Sequence, residues 1–269
     1  MILITFEKVK INLLLFIVVW ITTLILDTDM INLMPVQFGE KKVIRFKNPP
    51  QDEQELVREF FENKKNGFYV DVGANDPIIE SQTYHLEKSG WMGLLIEPLS
   101  SYCNDLKEKR TGVVIQNACS APENHLKTLR LLVAGGHSTL NENPIALGTK
   151  SQEYVDVTCK TLDSILTENA VKLNFDFISI DIEGHELEMF KGFSIQKWRP
   201  KLVLLEDHVL NHKKHKLMIS NGYKLLMRTG LNSWYVSQSM GYKLTPFAYL
   251  QYFRKYYIGI LLRKFKYRR

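Results

Sequence analysis

The sequence predicts an α/β fold: a doubly wound, mostly parallel sheet of seven strands with an antiparallel hairpin at its C-terminal edge. Three observations predict it. Short apolar runs alternate with amphipathic segments from residue 51 onward. Those runs are continuous, as strands covered by helices on both faces require. The last two runs flank a tight turn at Thr229-Gly230-Leu231-Asn232, which sets the closing pair antiparallel.

Taken in order, Gln51 to Lys65 predicts a helix, with Leu56, Val57, Phe60 and Phe61 as its apolar stripe. Gly67 to Val72 predicts a buried strand and Ser81 to Ser89 a helix. Gly93 to Ile96 predicts the second strand, Tyr102 to Arg110 the second helix of that unit, and Val113 to Gln116 the third strand. Lys127 to Val133 and Glu153 to Cys159 alternate like strands, around a Gly- and Asn-containing stretch at 134–150. The rhythm then resumes: helix at Leu162 to Asn169, strand at Phe175 to Ile180, helix at Glu186 to Phe193, strand at Leu202 to Leu205, helix at Val209 to Ser220. Tyr223 to Met227 and Trp234 to Ser237 form the hairpin. Helices interleaved with strands and an antiparallel close give the doubly wound class.

The chain of 269 residues suits one large α/β domain. Its composition, 45% apolar and 24% charged, excludes global disorder. The net charge of +6 belongs to the last sixteen residues, which are rich in Lys and Arg and hold no acid. Without them the chain is close to neutral, so no nucleic-acid groove is implied. Cys103, Cys119 and Cys159 form no CxxC pair and predict buried, reduced thiols. Residues 1–30 predict a membrane anchor or an upstream segment, because Ile11 to Leu26 is uncharged and mostly apolar yet short of the ~20 residues a span wants. The flanking Lys and Arg favour a cytoplasmic domain. Residues 31–50 predict a linker, 51–240 the domain, and 241–269 a basic amphipathic tail of the kind that meets anionic membrane surfaces.

In open α/β sheets, ligands bind beyond the carboxyl ends of the strands. The first such end, Asp71-Val72-Gly73-Ala74-Asn75-Asp76, places a glycine where the backbone must approach a ligand. With one glycine it lacks the dinucleotide fingerprint G-x-G-x-x-G, which counts against a nicotinamide-dependent oxidoreductase. The second end carries Glu97, suited to accept both hydroxyls of a ribose. The fourth, Asp181-Ile182-Glu183-Gly184-His185-Glu186, and the fifth, Glu206-Asp207-His208, bring acids and histidines to adjacent strand ends. Such clusters suit general acid–base chemistry or a divalent cation held by oxygens.

Together, Phe68-Tyr69-Val70-Asp71-Val72-Gly73-Ala74-Asn75-Asp76, Ser81-Gln82-Thr83, Gly90-Trp91-Met92-Gly93-Leu94-Leu95-Ile96-Glu97-Pro98 and Ile180-Asp181-Ile182-Glu183-Gly184-His185-Glu186 resemble the FkbM family of S-adenosylmethionine (SAM)-dependent methyltransferases. The resemblance implies a Rossmann-like fold and O-methylation of a sugar, glycan or natural product. It implies that Asp71, Gly73, Ala74 and Asn75 line the methionine part of SAM, that Glu97 holds the ribose, and that Asp181 to Glu186 face the acceptor. Pro77 departs from the family, which often has glycine there. For a hydroxyl acceptor, His185 is the first candidate base, with His208 and His137 behind it and Asp181 beside it. The alternative is Mg²⁺ held by Asp181, Glu206 and Asp207. A membrane-tethered protein that keeps the fold without catalysis is the rival from another class. The retention of Asp71, Gly73, Glu97 and Asp181 together argues against it. Tyr84, Trp91, Trp198 and Trp234 read as packing aromatics rather than sugar platforms.

Overall fold

The computed structural model describes residues 53–79, 81–140, 153–208, 211–240 and 252–260, together with the backbone of 36–38 and 42–44. The apolar segment Ile11 to Leu26, most of the linker, the 141–152 stretch and most of the tail lie outside the described residues. Among the described residues, no helix is long and apolar enough to cross a membrane.

Strands β1 (Val36–Phe38) and β2 (Lys42–Ile44) form a small antiparallel pair. Helix α1 (Glu53–Phe60) follows. The main sheet then begins with β3 (Phe68–Val72), α2 (Tyr84–Lys88), β4 (Met92–Ile96), α3 (Ser100–Lys109) and β5 (Val113–Ile115). After an excursion it resumes with α4 (Leu162–Glu168), β9 (Phe177–Ile180), α5 (Glu186–Lys191), α6 (Ile195–Trp198) and β10 (Leu202–Glu206). It ends with α7 (Lys213–Ser220) and the hairpin β11 (Tyr223–Thr229) and β12 (Asn232–Ser237). The strand order is β11-β12-β10-β9-β3-β4-β5. Strands β10, β9, β3, β4 and β5 are parallel, and β12 pairs antiparallel with both β10 and β11. This is the seven-stranded, doubly wound sheet with an antiparallel edge that the sequence predicts.

The alternation of side chains along each strand builds two cores. Val70, Val72, Leu94, Ile96, Ile178, Ile180, Val203 and Leu205 face α4, α5, α6 and α7. Tyr69, Leu95, Phe177, Leu202 and Leu204 face α1, α2 and α3. A strand buried on both faces needs such an uninterrupted apolar run. Trp91, Trp198 and Trp234 are buried in these cores, as their reading as packing residues requires. The three cysteines are free and buried.

The excursion forms a second sheet of β6 (Ala118–Cys119), β8 (Tyr154–Lys160) and β7 (Thr128–Leu132), in that order. The sequence shows β7 and β8 but not β6, whose two residues are too few to carry a period. Its own small core is Leu99, Ala118, Leu131, Val157 and Cys159.

Several helices are shorter than their apolar stripes suggest. Helix α1 stops at Phe60 because Glu62 and Asn63 turn into the left-handed region. Helix α2 starts at Tyr84 instead of Ser81, because Ser81 Oγ accepts hydrogen bonds from the Thr83 and Tyr84 amides. Helix α7 begins at Lys213, and residues 209–210 lie outside the described set.

The segment 252–260 packs onto the domain. Tyr256 is fully buried, and its hydroxyl donates to Asp207 Oδ2 at 2.9 Å. Arg228 lies 3.7 Å from the same oxygen and donates to the carbonyls of Asp207 and Leu231. Tyr256→Phe leaves a buried acceptor short of a partner, at a cost of about 1–3 kcal/mol. The expected thermal midpoint falls by roughly 2–4 °C per kcal/mol. An unchanged melting curve would show that this docking does not hold in solution.

Candidate functional site

The order of the sheet reverses between β3 and β9, since β4 and β5 extend one way from β3 and β9 and β10 the other. A cleft opens there, enclosing about 560 Å³ with the solvent at its mouth included. The ends of three strands supply its floor: Val72, Gly73 and Asn75 from β3, Glu97 from β4, and Asp181, Ile182 and Glu183 from β9. Leu131 and the loop residues Gly135, Gly136, Ser138 and Leu140 lie across it.

Gly73 is required by geometry. Its φ is +86°, and a Cβ added there would sit 1.8 Å from the Asp181 carbonyl oxygen. The turn after β3 therefore runs directly against the backbone after β9, where Asp181 N–H donates to Val72 O at 3.0 Å. Asn75 also takes a left-handed conformation, φ 47°, which Asn tolerates better than most residues. Ala74 is buried behind the cleft wall, its amide bonded to Ile96 O.

Glu97 is buried at the end of β4. One carboxylate oxygen accepts from the Asn75 amide at 3.1 Å, the other from the Leu99 amide at 2.9 Å. Each oxygen keeps a lone pair for a further donor. Burial raises its pKa to about 7, against the pull of these two amides. A group whose folded pKa lies above its unfolded value of 4.5 costs stability as pH rises from about 4.5 to about 7, and the cost is fully present above that. Glu97→Gln is thus expected to gain in melting temperature over the wild type as pH goes from 5 to 7.5. A gap that stays constant across that range would overturn the assignment.

Asp71 does not line the cleft. It shares the Tyr69 face of β3, is buried, and accepts from Thr83 Oγ1 at 2.6 Å. Burial raises its pKa.

At the other wall the acids and histidines of the fourth and fifth strand ends come together. His185 lines the cleft, and its Nε2 lies 3.0 Å from Ser120 Oγ, which also accepts from Asn124 Nδ2. Burial lowers the His185 pKa, so the ring is neutral at neutral pH. Asp181 is raised well above the ordinary carboxylate value, first by loss of hydration and then by the charges of Glu206, Glu183 and Glu186. Glu206 is lowered: burial alone would raise it, but His208 at 2.9 Å and nearby Lys214 outweigh that. The same Glu206 raises His208. His137, on the loop across the cleft, sits 2.7 Å from Glu183, and Thr139 Oγ1 donates to Glu183 O at 2.7 Å. Lys214 Nζ lies 2.6 Å from Glu186.

Asp181, Glu206 and Asp207 do not gather as one ligand set. Asp207 is committed to Tyr256 and Arg228. The group whose ligand atoms approach within 4.8 Å of one another among the described residues is Glu183, Glu206 and His208. These acids already have partners within the chain itself: His137 lies 2.7 Å from Glu183 and His208 2.9 Å from Glu206, and the Lys214 ammonium donates to the Glu206 carbonyl. Sequence reasoning missed Ser120, Arg110 and Lys214, because each meets its partner only after folding. Ser120 and His185 are 65 positions apart.

The chain matches the profile of the Methyltransferase FkbM domain over residues 71–242. No curated protein matches it. Among solved structures it is similar to the methyltransferase FkbM from Methylobacillus flagellatus KT, at 18% identity and TM-score 0.40, over 64% of this chain and 43% of that one. The chain thus spans less than half the length of that protein. It is similar to precorrin-6y C5,15-methyltransferase from Geobacter metallireducens GS-15, at 10% identity and TM-score 0.40, over 75% of this chain and 91% of that one. It is similar to the N-terminal domain of human METTL16, solved in complex with SAH, at 15% identity and TM-score 0.36, over 68% and 66%.

Proposed function

The chain belongs to the FkbM methyltransferase family, and from that premise we propose that it transfers the methyl group of SAM to a hydroxyl of a sugar, glycan or natural product. The observation that carries the cofactor half of this reading is Glu97. It stands at the second strand end beside the switch point, each carboxylate oxygen holding one backbone amide and one lone pair in reserve. A ribose diol supplies two donors to match. Two further features fit the cofactor. Asn75 Oδ1 is buried at the cleft without a hydrogen-bond partner, and an ammonium group would satisfy it. Gly73 leaves no Cβ between the turn and Asp181.

Bound there, SAM supplies a methyl group already activated on a sulfonium. The chain's part is alignment and proton removal. Gly73, Asn75 and Glu97 sit side by side on the cleft, Glu97 accepting from the Asn75 amide. The loop 135–140, tied by His137 and Thr139 to Glu183, borders the cleft. His185, neutral because it is buried, would take the proton from the acceptor hydroxyl as the O–C bond forms and the methyl–sulfur bond breaks, SAH being the leaving group. A neutral imidazole is able to accept that proton at neutral pH.

The test is calorimetric titration of the full chain with SAM and with S-adenosylhomocysteine (SAH). Micromolar binding is the expected result. Well-folded protein that binds neither would overturn the reading and return the chain to a role without catalysis.

A further inference from the structure

We propose that Arg110, which does not line the cleft, is the positioning residue of the cofactor turn; the inference rests on the reading of that cleft as a SAM site. Arg110 closes α3, and its side chain is completely buried. One guanidinium nitrogen donates to Pro77 O and to Ser81 Oγ, each at 3.1 Å. The other donates to Thr83 Oγ1 at 2.8 Å and to Tyr69 OH at 3.3 Å, and lies 3.0 Å from Glu87 Oε1. Thr83 in turn donates to Asp71.

The consequence is topological. The turn that lines the cleft runs from Val72 to Asp76. It is preceded by Asp71 and followed by Pro77. Arg110 grips both flanks, Asp71 through Thr83 and Pro77 directly through its carbonyl. One planar cation thus fixes the two ends of the turn whose middle carries Gly73 and Asn75. Asp71 acts from behind the turn rather than on the ligand. Pro77 is also accounted for: a proline carbonyl accepts as well as any other, and the ring's fixed φ stiffens the flank that Arg110 holds.

Glu87 sets the guanidinium in place. It accepts the amides of Thr111 and Gly112 and the Thr111 hydroxyl, as well as the Tyr69 hydroxyl. Its pKa is lowered: burial opposes the charge, but these donors and Arg110 outweigh it. Lysine could supply the charge but not the fork, because only a planar guanidinium reaches these five oxygens in two directions.

Arg110→Lys tests this directly. SAH affinity, read by calorimetry on the full chain, is expected to fall at least tenfold. The KM for SAM is expected to rise correspondingly, while kcat at saturating SAM stays within about threefold of wild type. A residue that served folding alone would lower the melting temperature and leave the affinity of the folded protein unchanged. Folded Arg110→Lys that binds SAH within twofold of wild type therefore overturns the proposal. Thr83→Val cuts only the link to Asp71 and serves if Arg110→Lys does not fold. It is expected to weaken SAH several-fold, and unaltered affinity would again overturn the proposal. Wild-type protein that fails to bind SAH would instead sink the SAM reading on which this rests.

Discussion

Gly73→Ala is expected to abolish detectable SAH binding, a loss of at least a hundredfold. Two separate penalties act. The position has φ +86°, and an L-residue in the left-handed region costs roughly 1–2 kcal/mol. The larger penalty is contact: the new methyl would lie 1.8 Å from the Asp181 carbonyl oxygen and 2.9 Å from its carbon. A backbone atom cannot swing away as a side chain would, so the turn must shift by an ångström or more. Misplacement of that size costs about a hundredfold where groups are held for reaction. Gly90→Ala is the control. It has nearly the same φ, +87°, but its nearest neighbour is Asn66 Oδ1 at 3.5 Å. That variant bears the strain without the collision, and should bind SAH like the wild type at a somewhat lower melting temperature. Folded Gly73→Ala that binds within threefold of wild type would show that the turn does not hold the cofactor.

The second large effect is on turnover. His185→Asn is expected to lower kcat by about a hundred- to ten-thousand-fold, with SAH affinity retained because the ring belongs to the acceptor wall. The pH profile carries the sign. Burial holds His185 below its ordinary value of 6.5, so the base stays unprotonated through neutral pH. Activity should be lost as pH falls through a value below 6.5, and this acid limb should vanish in the variant. A variant within threefold of wild-type kcat would assign proton removal elsewhere, with His137 and His208 the next to test. Each of those is tied to an acid, His137 to Glu183 and His208 to Glu206, whereas His185 faces a hydroxyl.

The strands of the main sheet could be read from the chain, though not their order, because strands buried on both faces announce themselves. Val70 and Val72 serve one core while Tyr69 serves the other, and only an apolar run satisfies both. Strand ends follow from strands, so Gly73, Glu97, Asp181 and His185, which line one cleft, could be named as candidate site residues before their neighbours were known. What such reasoning lacks is direction. Asp71 and Val72 are adjacent in sequence but point to opposite faces, and only the fold decides which face opens to the cleft. It also lacks the long-range partners. Arg110 reads as an ordinary helix-ending cation, and its links to Tyr69 and Pro77 span 41 and 33 positions. Asp207 reads as one more acid beside Glu206, yet its partner Tyr256 lies 49 positions on, in a stretch whose composition suggests a solvated or lipid-facing tail.

That last contact bears on where the folding unit stops. The family match ends at residue 242, but Tyr256 and Ile260 are part of the larger core. A recombinant fragment trimmed to the match would uncover His215, Tyr235 and the Asp207–Arg228 pair together. It would gain an apolar patch with a half-satisfied ion pair inside it, the surface that drives self-association in soluble proteins. Insolubility of such a fragment would be a fault of the cut and not of the sequence.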